Sequence, residues 1–213
     1  MEESQIREIS CEQSVLSKPD GSSDFSQGDS SVMVGVYGPA DVKQNKEILD
    51  RATIEVIFKP KIGLPGVREK AMEKMISNTC QAIILTTMHP RSSITIVVQV
   101  VQDAGSLLSC CINAVCLALM DAGISMKCMV AAVSCAISED GEVILDPTLK
   151  VAQVASSVMH FAFESKEKDV ILSSTQGMCS PDQYLSCLAS CQEASDKIFT
   201  FYRTSAERRF SKT

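Results

Sequence analysis

The chain reads as an α+β protein. Its strands come in groups separated by single helices, their apolar residues either alternate or run continuously, and the helices are marked by apolar residues at spacings of three and four. With 213 residues, 45% of them hydrophobic, it can bury a sizeable core. We expect one domain over residues 11–202, a flexible N-terminus over 1–10 and a basic C-terminal tail over 203–213.

Met1–Ser10 is polar and is expected to be loose, and Asp20–Asp29 (DGSSDFSQGD) is a turn-rich stretch. Val32, Val34 and Val36 alternate in a strand over Val32–Tyr37, as do Ile54, Val56 and Phe58 in the next. Lys59–Pro65 holds too much proline and glycine for regular structure. Met72, Met75, Ile76, Cys80 and Ile83 then mark a helix that ends before Pro90. A near-continuous apolar strand, Ile94–Val101, runs through a turn at Asp103, Ala104 and Gly105 into a helix that Ser106 can cap. Leu108, Ile112, Val115 and Leu119 form one stripe of that helix, Ala114 and Ala118 permit close packing, and Gly123 stops it. Met129–Ile137 and Glu142–Leu145 flank an SEDG turn as a hairpin, Val158–Phe163 and Val170–Ser174 form another, and Tyr184, Leu188, Cys191, Ile198 and Tyr202 line a long final helix.

A formal charge of −6 and a pI near 5.0 argue against a chain that grips nucleic acid unaided, so RNA contacts should be local or shared with partners. The absence of tryptophan and the presence of only three tyrosines argue against an aromatic stacking platform. No signal-peptide pattern and no apolar run of membrane-spanning length occurs, so a soluble intracellular protein without a membrane partner is expected. The ten cysteines sit within apolar periodic segments and read as reduced core residues. No C-x-x-C pair exists, and the two histidines, His89 and His160, are far apart and have no nucleophile beside them in sequence. Neither metal nor cofactor is therefore expected, and both histidines read as structural.

The strand, glycine turn and helix start at Gly105 and Ser106 are laid out as an anion site, because free N–H groups at a helix start attract phosphate. A working phosphate site usually adds a cation, yet Leu107 and Leu108 follow. Five basic residues, Lys59, Lys61, Arg68, Lys70 and Lys74, stand against Glu69 and Glu73 and form the best local surface for a phosphate backbone; ordinary solvated charge is the equal alternative.

The segment around Gly105 resembles the phosphate loop of the RNase PH family of phosphorolytic 3′-to-5′ exoribonucleases. SQGDSSVMVGVYGP at Ser26–Pro39 resembles that family's first strand pair, Gly66–Leu85 its first long helix, and SCAISEDGEVILDPT at Ser134–Thr148 its acidic hairpin. The motifs CEQSVLSKPDGS, YGPADVK, KPKIGLPG, TMHPRSSIT, VQDAGSLL and VILDPT extend the likeness over about residues 9 to 213 and narrow it to a subunit of the RNA exosome ring. The resemblance implies an RNase PH-like fold (ribosomal protein S5 domain 2-like), with two β-sheet layers and helices between and outside them.

It further implies that Gly105 and Ser106 match the phosphate loop while Leu107 replaces its arginine. Of the family's two acids, Asp146 matches the first, and the second falls on Ala152. Asp146 also reads as a turn residue before Pro147, which is the favoured reading. Arg68 aligns with a second phosphate-binding arginine but is read as a solvated helix charge. Losing one charge-assisted bond costs about 1.5–3 kcal/mol, or roughly one to two powers of ten in phosphate binding. Losing the acid removes a further factor of about 10²–10⁴. The implied role is a non-catalytic subunit of the exosome ring in 3′-to-5′ RNA processing and decay, located in nucleus, nucleolus and cytoplasm. Its partners would be other RNase PH-type ring subunits, RNA-binding cap subunits and associated nuclease subunits. The alternatives are an active phosphorolytic or metal-dependent hydrolytic nuclease using Asp146 with Asp103 or another nearby acid, or a homodimer outside the ring.

Overall fold

Alternation at Val32, Val34 and Val36 does bury one face of a strand, but the strand is twice the expected length. The computed structural model describes residues 6–139 and 141–211. In chain order the elements are β1 Ile9–Gln13, β2 Gly21–Gln27, β3 Ser30–Asp41, β4 Thr53–Lys59, α1 Val67–Ile83, β5 Ser92–Gln102, α2 Leu107–Asp121, β6 Val130–Ile137, β7 Val143–Leu145, α3 Leu149–Val154, β8 Ser157–Glu164, β9 Val170–Gly177 and α4 Pro181–Phe210.

Five strands in the order β1-β2-β3-β5-β4 form the first sheet, and four in the order β7-β6-β8-β9 the second. Every pairing is antiparallel except β4 with β5, where a crossover is obligatory and α1 supplies it. α1 packs on β4 and touches β9, α2 touches β2, β3, β6 and β8, and α4 packs on β6 and β8 while its Phe201 meets Phe25 of β2 edge-on. α1 and α2 thus lie between the sheets, while α4 covers the outer face of the second sheet, as the resemblance implies: Ser134 of β6 bonds Ser109 of α2, and the next residue, Cys135, faces the other way toward Cys187 and Cys191 of α4.

That placement corrects the reading of α2 as having one apolar stripe. Leu107–Leu119 is buried on every side because sheets cover it on both faces. Truncating one such leucine, for example Leu117, would cost about 2–5 kcal/mol. The polar member of the helix, Asn113, acts as a strand surrogate: its amide bonds the N–H and C=O of Ala132 at 2.7 and 2.9 Å, beyond the reach of the short β7, and it accepts from the Tyr202 hydroxyl at 3.0 Å.

The stretch read as turn-rich is β2. Its serines are strand-competent here because Ser23 donates to the Ala114 carbonyl at 2.7 Å and the Ser22 N–H donates to Asp121 at 2.8 Å. Gly21 allows the strand to lie on the helix, since a Cβ there would stand 2.3 Å from the backbone nitrogen of Ala122. Two further corrections concern the ends of the chain. Ile9 and Ser10 belong to β1, and Arg7 is pinned by hydrogen bonds, while Met1–Gln5 lie outside the described residues. Arg203, Arg208 and Arg209 are on α4 rather than in a tail, and Arg209 pairs with Asp121; Lys212 lies outside the described residues.

Candidate functional site

The glycine turn between β5 and α2 is tied down on every side. Gly105 has φ +113°, and a Cβ on it would lie 2.5 Å from the Pro147 carbonyl and the Leu149 nitrogen. Glycine is therefore required by the 147–149 backbone packed against it, not by the approach of a phosphate. The Gly105 carbonyl accepts from Ser30 Oγ at 2.7 Å and Arg7 Nη2 at 3.3 Å, while the Gly105 N–H donates to Asp103 Oδ1 at 3.1 Å. Ser106 adopts a left-handed conformation and makes no side-chain cap; its hydroxyl donates to the Pro147 carbonyl at 3.0 Å. The capping role expected of Ser106 is thus corrected, and the Gly105 N–H and the Ser106 hydroxyl both have protein acceptors.

Asp146 lies behind this loop. Its carboxylate accepts from the Arg7 backbone N–H at 3.1 Å and Arg7 Nε at 2.8 Å on one oxygen, and from Arg7 Nη2 at 2.7 Å on the other. The Asp146 side chain is 0% exposed and the Arg7 side chain 19%. Burial pulls the Arg7 guanidinium pKa down, but the hydrogen bond and charge of Asp146 outweigh it and the net displacement is upward. The two residues are 139 positions apart, and no sequence spacing announces the pair. Asp146, with φ +50°, ends β7 and its N–H bonds the Ser134 carbonyl at 2.8 Å, so its reading as a turn residue is joined by a buried structural role.

In front of the loop is a cleft of about 410 Å³ lined by Arg68, Asp103, Leu107, Ala152, His160 and Gln176, among others. The structure therefore brings together Gly105, Ser106, Leu107, Ala152 and Arg68, and leaves Asp146 out. Arg68, read as a solvated charge, is exposed but faces this cleft. The hollow continues: a second one of about 220 Å³ shares Arg68, Asp103 and Leu107 with the cleft, and a third of about 400 Å³ shares Phe58, Pro60 and Lys61 with the second and adds Lys59 and Lys70. Four of the five basic residues thus border one trough. Lys70 is also bonded to Glu73 at 2.8 Å, and Lys74 lies on an exposed part of α1.

His160 was missed as a cleft residue. Its Nδ1 lies 2.7 Å from Ser134 Oγ, which lies 2.7 Å from Ser109 Oγ, and Ser109 donates to the Ser106 carbonyl at 2.8 Å. Each hydroxyl has one proton, so Ser134 donates to Ser109 and His160 Nδ1–H donates to Ser134. That assigns the tautomer and leaves Nε2 as an acceptor. Burial, helped by the charge of Arg68, lowers the His160 pKa to about 4, which keeps the ring neutral at ordinary pH. Its alternating position in β8 carried no signal of this chain, which joins three elements. His89 is elsewhere, after the turn at Thr86–Met88. Among the described residues, no group of three His, Cys, Asp or Glu side chains converges as a metal-binding set.

Two family models match the chain: 3′ exoribonuclease family domain 1 over residues 5–125 and domain 2 over residues 128–194. The chain belongs to the RNase PH family of 3′ exoribonucleases. The two matched segments together make up one RNase PH-like fold. It is 37% identical, over 96% of its length and 93% of the relative, to the rice (Oryza sativa subsp. japonica) protein named exosome complex exonuclease RRP46 homolog. It is 32% identical to exosome complex component RRP46 of Saccharomyces cerevisiae, over 92% and 93% of the two chains. The crystal structure of rice Rrp46 superposes with a TM-score of 0.91 at 40% identity, covering 95% of each chain. An Archaeoglobus fulgidus exosome chain shares the fold alone, with a TM-score of 0.82 at 16% identity over 93% of this chain and 89% of that one.

Proposed function

We propose that this chain is a ring subunit of the RNA exosome and that it contributes structure and RNA path rather than catalysis. The observation that carries this reading is the state of the degenerate cleft. Where the resemblance puts a phosphate-binding arginine and a second acid, the cleft is lined by Leu107 and Ala152, and the remaining acid, Asp146, has both carboxylate oxygens bonded to Arg7 and no exposure. Hydrolysis by Asp146 with Asp103 is disfavoured by the same geometry, because Asp103 borders the cleft and Asp146 does not.

The relatives named RRP46 support a place in the ring beside other RNase PH-type subunits, with RNA-binding cap subunits and separate nucleases as further partners. Ile62, Leu64 and Val67 are 85%, 93% and 90% exposed, which suits a surface covered by a neighbour. Arg68, Lys61, Lys59 and Lys70 along the trough are the candidate RNA contacts, with Lys74 beside them; a short row of cations in an acidic chain suits contact shared with partners. Work in rRNA maturation and mRNA decay, in nucleus, nucleolus and cytoplasm, follows from this role. Among the described residues no helix is long and apolar enough to cross a membrane.

Reconstitution tests the placement. Mixed with the other ring subunits of its source, the chain should enter one complex whose native mass contains a single copy; a chain that stays outside the ring, as monomer or homodimer, contradicts it.

A further inference from the structure

β1 is an edge of the first sheet, and its free side opens into a groove of about 820 Å³. Ile9 faces Gln27, and the Gly28 N–H donates to the Glu8 carbonyl at 2.8 Å, while the Ser14 N–H donates to the Ser22 carbonyl at 3.0 Å. Bonded residues alternate in an antiparallel ladder, so Glu8, Ser10, Glu12 and Ser14 turn their backbone groups toward β2. Ile9, Cys11 and Gln13 turn theirs outward, where none of the described residues bonds them. Exposed edges are usually blunted by lysine, proline or a bulge. The sequence Ile9–Gln13, ISCEQ, has none of these.

The opposite wall is one face of the last turns of α4, with Phe201, Thr204, Ser205 and Arg208. The two ends of the groove differ in charge. Phe201 packs on Phe25, which is the register partner of Cys11, and so marks the middle. Asp121 accepts from Ser14 Oγ and is paired with Arg209, which places the last turn of α4 at the Ser14 end. Arg209 is thereby satisfied, while Arg208 is exposed and has no acidic partner among the described residues. The other end carries Glu8. The groove shares no lining residue with the cleft.

We propose that this groove receives an extended segment of a partner protein, about six residues long, as a further antiparallel strand on β1. The three outward N–H and C=O pairs supply the backbone bonds, and the apolar middle takes small apolar side chains. Antiparallel addition puts the segment's N-terminal end beside Arg208 and its C-terminal end beside Glu8. The fitting segment therefore has an acidic residue first and a basic residue last.

The test uses the full chain and two synthetic peptides, Glu-Ser-Val-Thr-Val-Lys and its charge-swapped form Lys-Ser-Val-Thr-Val-Glu, both with blocked ends. Amide exchange read by NMR should slow about tenfold at Ile9, Cys11 and Gln13 with the first peptide, which should bind several-fold tighter than the second. Arg208→Glu should abolish or invert that preference without altering the spectrum of the cleft residues, and Cys11→Pro should remove binding. Unchanged exchange at the three amides, or equal binding of both peptides before and after Arg208→Glu, overturns the proposal. Slow exchange at those amides in the protein alone, together with a doubled mass, assigns the edge to a second copy of this chain and also overturns it.

Discussion

The Arg7 guanidinium and the Asp146 carboxylate are joined fork to fork across 139 residues of sequence, at 2.7 and 2.8 Å, with the Arg7 main-chain N–H adding a third bond. A carboxylate held this way is a structural anchor between the first segment of the chain and the hairpin behind the glycine turn. Removing one partner strands a buried charge, so Arg7→Ala should lower unfolding free energy by about 3–5 kcal/mol. Replacing both by apolar residues, as in Arg7→Met with Asp146→Leu, should recover much of that loss. Urea unfolding of the two variants checks the pair.

The cleft should respond to restoration. Leu107→Arg with Ala152→Asp returns the missing cation and acid to positions that the structure places in the lining. Phosphate affinity measured by titration calorimetry should rise by roughly one to two powers of ten for the Leu107→Arg change. An affinity unmoved by it would mean that these positions do not correspond to the family's phosphate site.

His160 gives the cleft a pH signature. Its pKa is lowered to about 4 from 6.5, so the unfolded chain binds the extra proton first as pH falls. The stability this neutral ring contributes is complete above about pH 6.5, declines as pH falls toward about 4 and changes no further below that. A shift of that size corresponds to roughly 3–4 kcal/mol at most. Unfolding measured between pH 4 and 7 should show this slope in the parent, and His160→Gln should flatten it.

Much of the fold was legible because burial on one face leaves a period. β3, β4 and β5 were announced by alternating or continuous apolar residues, and α1 by Met72, Ile76, Cys80 and Ile83, all of which are buried. β2 was not, because Phe25 is its one apolar inward residue and the others include Gly21 and Ser23, whose fitness depends on the α2 backbone beneath them. The stripe on α2 misled for a related reason: a helix covered by two sheets has no polar face to define one. At the site, Gly105, Ser106, Leu107 and Ala152, all singled out in the sequence, line one cleft. Arg7 and the chain of hydroxyls behind His160 were missed, since both are made by residues distant in sequence.

The cysteines offer a check on the core. Seven of the ten are buried, and burial pushes the thiols of Cys80, Cys110, Cys116 and Cys187 up to about 12. Only Cys11, Cys128 and Cys179 are partly exposed, and Cys11 is also raised to about 12 by burial and the nearby Asp24. A thiol reagent at pH 7.5 should therefore label no more than three sites in the native protein and all ten after denaturation, with Cys11 the slowest of the three.

Incubation of the purified chain with a 3′-tailed RNA, in the presence and absence of phosphate and magnesium, tests the non-catalytic reading most directly. The RNA should keep its full length under every condition. Release of nucleoside diphosphates with phosphate, or of nucleoside monophosphates with magnesium, from the parent but not from an Asp146→Asn variant of intact fold, would contradict it.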